Sequence, residues 1–253
     1  MPAMNEAKNP MLLLAGMALS ALSACAAGEA NDHLEAKNGY ATGKVVDGRG
    51  EPLAGARILL DNSVYYASYI HGSTREDGSY RIKVPPGAWK ADASIRKDYH
   101  GRTYTLELHP DSIDSFDGSG AVRNFVWKLE GRPQDNDYGY YGGFIQLSTD
   151  LDFDSDLEDI ELTLVPDGPL IDGSTGRTLR LRLGDRYWVD RYQVEDVPIG
   201  RYRVTAMLRG DGGDRPLRIQ DWNTKGDFSP EFQLDFLPKS ASVDNAASIV
   251  IGY

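Results

Sequence analysis

The chain has 253 residues, 41% of them hydrophobic, enough for one large or two ordinary domains with buried cores. Its net charge of −11 would repel a phosphate backbone and an anionic lipid surface, so nucleic acid is not expected as a partner and any membrane attachment must come from elsewhere. A single cysteine rules out an intrachain disulfide, while 27 glycines and 14 tyrosines suit tight turns and half-buried strands.

The first element is an apolar run. Met11–Ala24 is uncharged over 14 residues, too short to span a bilayer and the right length for a signal-peptide core. It ends in Leu22, Ser23, Ala24 and the lone Cys25. That tetrad resembles a bacterial lipobox: an apolar residue, two small ones, then a cysteine whose thiol accepts diacylglycerol. The resemblance implies a signal peptide over 1–24, lipidation of Cys25 and attachment to the membrane through the lipid anchor. Ala26 and Ala27 follow the cysteine, where inner-membrane lipoproteins carry Asp, so the expected location is the outer membrane. Residues 25–39 then read as the lipidated cysteine and a polar, flexible tether.

Short alternating runs begin at Tyr40: Ala41–Asp47, Gly55–Asn62, Ser63–Ile70, Ser79–Val84, Trp89–Arg96, Arg102–His109 and Val122–Leu129. Seven strands with Gly, Pro or Asp between them predict an all-β sandwich over 40–130. Gly43, Val45, Asp47, Gly50, Pro52, Leu53, Gly55, Ala56 and Ile58, followed by Thr74, Asp77, Gly78, Tyr80, Ile82, Val84, Pro86, Gly87 and Trp89, resemble the carboxypeptidase regulatory-like domain, a seven-stranded transthyretin-like sandwich. The catalytic zinc domain of carboxypeptidases has no counterpart here, so the resemblance implies a fold and an accessory role.

Gly131–Gly143 is a Gly- and Tyr-rich linker, and 144–253 holds a further series of strand-like runs. Val84-Pro85-Pro86-Gly87-Ala88-Trp89 reappears as Val197-Pro198-Ile199-Gly200-Arg201-Tyr202, which predicts a second, related sandwich in which Ile160–Pro166 stands where Gly55–Asn62 stood.

Chemistry is sparse. His33, His71, His100 and His109 show no metal-ligand spacing, and no nucleophile motif occurs. The strongest local signal is acidic. Asp150, Asp152, Asp154, Asp156, Glu158, Asp159 and Glu161 fall within 12 positions, with oxygen ligands spaced as in a helix–loop–helix calcium loop and Glu161 in the bidentate place. Against Ca2+ stand Ser155 in the glycine position and strand-like flanks. The metal candidates are therefore Asp150, Asp152, Asp154, Asp156 and Glu161, and a plain solvated acidic loop is the competing reading.

Aromatic rings supply the other signal. Tyr65, Tyr66 and Tyr69 fall in one expected strand, and Trp188 and Trp222 near loops. Tyr138, Tyr140 and Tyr141 sit in the linker, where strand packing does not account for them, and with Trp222 they are the ligand-binding candidates. The expected function is a non-catalytic cell-envelope binding or scaffold lipoprotein, its partner an envelope protein or a glycan. A glycan hydrolase using dispersed carboxylates and a calcium-rigidified structural lipoprotein are the alternatives.

Overall fold

Alternation of buried and exposed side chains sets the architecture from Tyr40 onward. In the computed structural model, which describes residues 36–134, 139–183, 193–210, 212–239 and 245–253, the structure is all-β, with two β-sandwiches and no α-helix among the described residues. The first sandwich contains β1 (Tyr40–Val46), β2 (Arg57–Asn62), β3 (Tyr69–Ser73), β4 (Ser79–Lys83), β5 (Ala88–Tyr99), β6 (Arg102–Glu107), β7 (His109–Pro110), β8 (Phe116–Asp117), β9 (Ala121–Val122) and β10 (Phe125–Val126). One sheet has the order β4-β1-β10-β7 with β9 beside β1; the other has β3-β2-β5-β6 with β8 beside β5. Trp89, Ala91, Ala93 and Ile95 of β5 point inward with Ile58 and Leu60 of β2, while Lys90 and Asp92 point out.

Sequence motifs account for the turns. The Asp47 carboxylate accepts hydrogen bonds from the N–H groups of Arg49 (2.8 Å) and Glu51 (2.9 Å), closing the turn to Pro52. At Gly43, a Cβ would stand 1.8 Å from the carbonyl oxygen of Arg123, so only glycine lets the last strands lie against β1.

Three expected strands differ. Arg102–His109 is broken at Leu108 into β6 and β7, which lie in different sheets. Val122–Leu129 is broken into β9 and β10 at Arg123–Asn124. There the Arg123 carbonyl accepts the Tyr80 hydroxyl at 2.7 Å, and the Asn124 side chain accepts the N–H of Lys44 at 2.9 Å, replacing ladder bonds. Ser63–Ile70 is not one strand either. Residues 63–68 form a turn, because the Asn62 side-chain oxygen accepts the N–H groups of both Val64 and Tyr65 at 2.9 Å, and β3 starts only at Tyr69.

The second sandwich contains β11 (Gly143–Thr149), β12 (Ile160–Pro166), β13 (Leu179–Arg182), β14 (Gln193–Val197), β15 (Arg201–Leu208), β16 (Arg215–Asp221), β17 (Phe232–Asp235) and β18 (Ala246–Gly252). Its pairings repeat those of the first. β11 lies antiparallel to β14 and parallel to β18, as β1 does to β4 and to β9 and β10. β12 sits between β13 and β15 as β2 sits between β3 and β5. β17 pairs with the start of β15 (Tyr202 opposite Leu234) as β8 pairs with the start of β5 (Trp89 opposite Phe116). The first chain path changes sheets at Leu108, between β6 and β7; β16 does so within one strand, pairing with β15 through Leu217 and with β18 from Arg218.

The repeat holds at single bonds. Trp89 Nε1 donates to the Pro85 carbonyl at 3.1 Å, and the Tyr202 hydroxyl donates to the Pro198 carbonyl at 2.7 Å. The Ser63 N–H donates to Ala88, and that of Asp167 to Arg201, both at 2.8 Å. In each sandwich the Pro-x-Gly turn is held by the aromatic residue that follows it.

Both sandwiches fall within one compact unit. The β5–β6 hairpin reaches across: the Tyr104 hydroxyl donates to the Phe236 carbonyl at 2.6 Å, and the Tyr99 hydroxyl donates to Pro169 O while accepting from Arg201 N, both at 2.9 Å. The chain between them is tied down too, since the Gly131 N–H donates to the Asp196 carboxylate at 2.9 Å.

Candidate binding site

Of the residues singled out from sequence, Leu22, Ser23, Ala24, Cys25, Tyr138 and Trp188 lie outside the described residues. Among the described residues, the linker, Trp222 and acidic candidates are not brought together. Tyr141 is buried, and its hydroxyl meets His109 Nδ1 at 3.0 Å with the rings edge-on. Burial and the charge of Lys128 hold the His109 pKa below the usual histidine value. Tyr140 is half-buried under the Arg132 guanidinium, 4.4 Å from its ring centre, and burial raises its phenol pKa. Trp222 is half-exposed on the turn after β16, with the Lys225 ammonium 5.7 Å from its ring. Among the described residues, Tyr140, Tyr141 and Trp222 therefore each meet different partners.

The acidic run is spread out rather than gathered. Asp159 pairs with Arg182 at 3.0 Å, and Glu161, inside β12, pairs with Arg209 at 2.6 Å. Asp154 accepts the Tyr253 hydroxyl, and Phe153 stacks on the Tyr253 ring with centroids 4.9 Å apart. The loop is thus shaped by an aromatic pair and by arginines. Among the described residues, no three His, Asp or Glu side chains are gathered as an ion's ligands would be.

The surface that does form lies on the first sandwich. Val64 and Tyr65 are each 68% exposed, Tyr66 is fully exposed, and Tyr69 is half-exposed. The backbone beneath them is fixed by buried Asn62, which takes the two N–H groups noted above and donates its own N–H to Ser68 at 2.9 Å. Three neighbouring large apolar side chains in water, on a pinned turn, mark an interaction site more strongly than scattered surface leucines would. Beside the turn, the outward face of β2, β5 and β6 floors a groove of about 520 Å³, bordered by Leu59, Lys90, Asp92, Glu107, Tyr141 and Lys239. Lys90 borders both the groove and the tyrosine turn, so the two adjoin. Lys239 pairs with Glu107 at 3.1 Å across it.

Sequence reasoning placed Tyr65 and Tyr66 in a strand and so missed the site. The available signal was Asn62-Ser63, a turn-forming pair at the end of the preceding strand.

No family model matches the chain. No curated protein matches it either. Among solved structures it is similar to the Bacillus anthracis TIE protein (14% identity, 84% of this chain and 34% of that one, TM-score 0.31). It is also similar to a putative polysaccharide-binding protein from Bacteroides thetaiotaomicron (7% identity, 69% and 78%, TM-score 0.26). A single B repeat unit of the collagen-binding surface protein of Staphylococcus aureus is a further likeness (10% identity, 87% and 99%, TM-score 0.22). The chain spans about a third of the length of the TIE protein. Nothing about ligand or location follows from likenesses of this size, and the carboxypeptidase regulatory-like resemblance rests on the residues between Gly43 and Trp89.

Proposed function

We propose that the chain is a non-catalytic binding module of the cell envelope, whose binding surface is the tyrosine turn of the first sandwich with the adjoining groove. The carrying observation is the exposure of Val64, Tyr65 and Tyr66 on a backbone held by Asn62. Exposed rings on a rigid turn lose little conformational entropy on binding and desolvate well against a sugar face or a protein. Lipidation of Cys25 at the outer membrane remains part of the proposal and is supported by the lipobox-like tetrad.

The test uses full-length protein with Cys25→Ser, which leaves the lipid out of the measurement. Co-sedimentation with envelopes isolated from the native host should be lost on Tyr65→Ser/Tyr66→Ser, with an unchanged melting temperature. Retention by that double variant would remove the turn as the binding surface. Turnover of an envelope substrate, abolished by one acid or histidine change, would overturn the non-catalytic reading. Mass spectrometry of the wild-type chain from native membranes should find Cys25 acylated.

A further inference from the structure

The internal repeat says what kind of partner the tyrosine turn takes. The second sandwich receives the first at one end, where the β12–β13 connection, the start of β15 and the residue after β17 meet. The atoms used there are backbone atoms: Pro169 O and Arg201 N bracket the Tyr99 hydroxyl at 2.9 Å each, and Phe236 O takes the Tyr104 hydroxyl at 2.6 Å. Backbone atoms can make these polar contacts whatever side chains the receiving end carries, and the side chains around them add the apolar contact.

The same end exists on the first sandwich. With Tyr202 as the counterpart of Trp89 and Pro166 that of Asn62, the strand pairings make Ala88 the counterpart of Arg201, and counting three residues past each strand end sets Tyr65 against Pro169. The matching bonds from Ser63 to Ala88 and from Asp167 to Arg201 carry the alignment one residue past the strand ends. Gly118, the counterpart of Phe236, has its carbonyl on the N–H of Gly39 at 3.1 Å, so the Tyr65 carbonyl and the Ala88 N–H are the corresponding pair. In the second sandwich this end is covered by the first. In the first it carries Val64, Tyr65 and Tyr66 in water.

Resting on the binding-module reading, we propose that this end receives a β-hairpin tip from another protein, bearing a tyrosine whose hydroxyl sits between Tyr65 O and Ala88 N. A second copy of the chain cannot supply it by the same contact. Its β5–β6 tip is engaged internally, and the corresponding β15–β16 hairpin ends at Leu208, the counterpart of Ile95, four residues before the position of Tyr99. No tyrosine occurs between Leu208 and Arg215.

The probe is a cyclised peptide holding Lys97–Tyr104 as a hairpin, titrated into full-length Cys25→Ser protein and followed by calorimetry. Saturable binding is expected, weakened about fivefold or more by Tyr99→Phe in the peptide and about tenfold or more by Tyr65→Ser/Tyr66→Ser in the protein. No saturation up to about 1 mM peptide would overturn the inference. So would binding unaffected by the double variant. Concentration-dependent dimers that the double variant abolishes would identify a second copy instead. Soluble peptidoglycan fragments that bind at these tyrosines without competition from the peptide would make the ligand a glycan. Failure of the peptide with continued loss of envelope association in the double variant would sink the hairpin and leave the binding module standing.

Discussion

The Tyr104 hydroxyl, on an inward-facing position of β6, is buried against the Phe236 carbonyl of the other sandwich at 2.6 Å. This bond crosses 132 positions of sequence and helps hold two similar bodies as one unit. Burial raises the Tyr104 phenol pKa, so the group remains a donor throughout the neutral range. Tyr104→Phe keeps the ring and removes the donor, while Arg102 still reaches the same carbonyl at 3.2 Å. A loss of about 1 kcal/mol in urea unfolding is expected, less than for a carbonyl left with no donor.

The paired turns predict paired losses. Tyr202→Phe removes the bond to Pro198 O, which is buried inside the second sandwich. It should cost about 1 kcal/mol. Trp89→Phe loses the corresponding bond to Pro85 O and leaves a smaller ring in a buried site, so it should cost more, about 2 kcal/mol. Two chemical-denaturation curves check both.

Gly43→Ala is the sharpest packing test. The added methyl would meet the Arg123 carbonyl at 1.8 Å and Tyr80 at 2.7 Å, forcing β1 away from β9 and β10. Destabilisation of about 3 kcal/mol is expected. Wild-type stability in this variant would show that the close approach does not exist.

Asp47 predicts an acid limb. Burial alone would raise its pKa, but the Arg49 guanidinium and the N–H groups of Glu51 and Arg49 outweigh this and hold it below the ordinary aspartate value. With the folded pKa depressed, the stabilisation is complete above the unfolded aspartate pKa and fades as pH falls through the folded one. The melting temperature should therefore drop in acid, with a shallower drop in Asp47→Asn. Equal acid sensitivity in the two proteins would assign the limb to other carboxylates.

Calcium should do little. With Glu161 on Arg209 and Asp154 under the Tyr253 hydroxyl, binding would need both contacts broken before the carboxylates could converge. Millimolar calcium is expected to leave the melting temperature unchanged. A clear rise would show that the acidic loop rearranges around the ion.

Local chemistry was enough to see the strands and the turns between them. Asp47 to Pro52, the alternation through β5 and the Pro-x-Gly-x-aromatic repeat all act within a few residues or through burial on one face, so the sequence carries them directly. The doubling of the fold was visible in that repeat, and β12 does occupy the place of β2. Contacts between segments far apart along the chain were not legible. Only the tertiary structure decided that Asp159 and Glu161 would go to arginines and Asp154 to Tyr253, and that Tyr141 would be buried beside His109. It also decided that Tyr65 and Tyr66 would leave the sheet. Their exposure depends on which strand end Asn62 terminates and on which sandwich end the other half covers; charge, spacing and hydropathy specify neither.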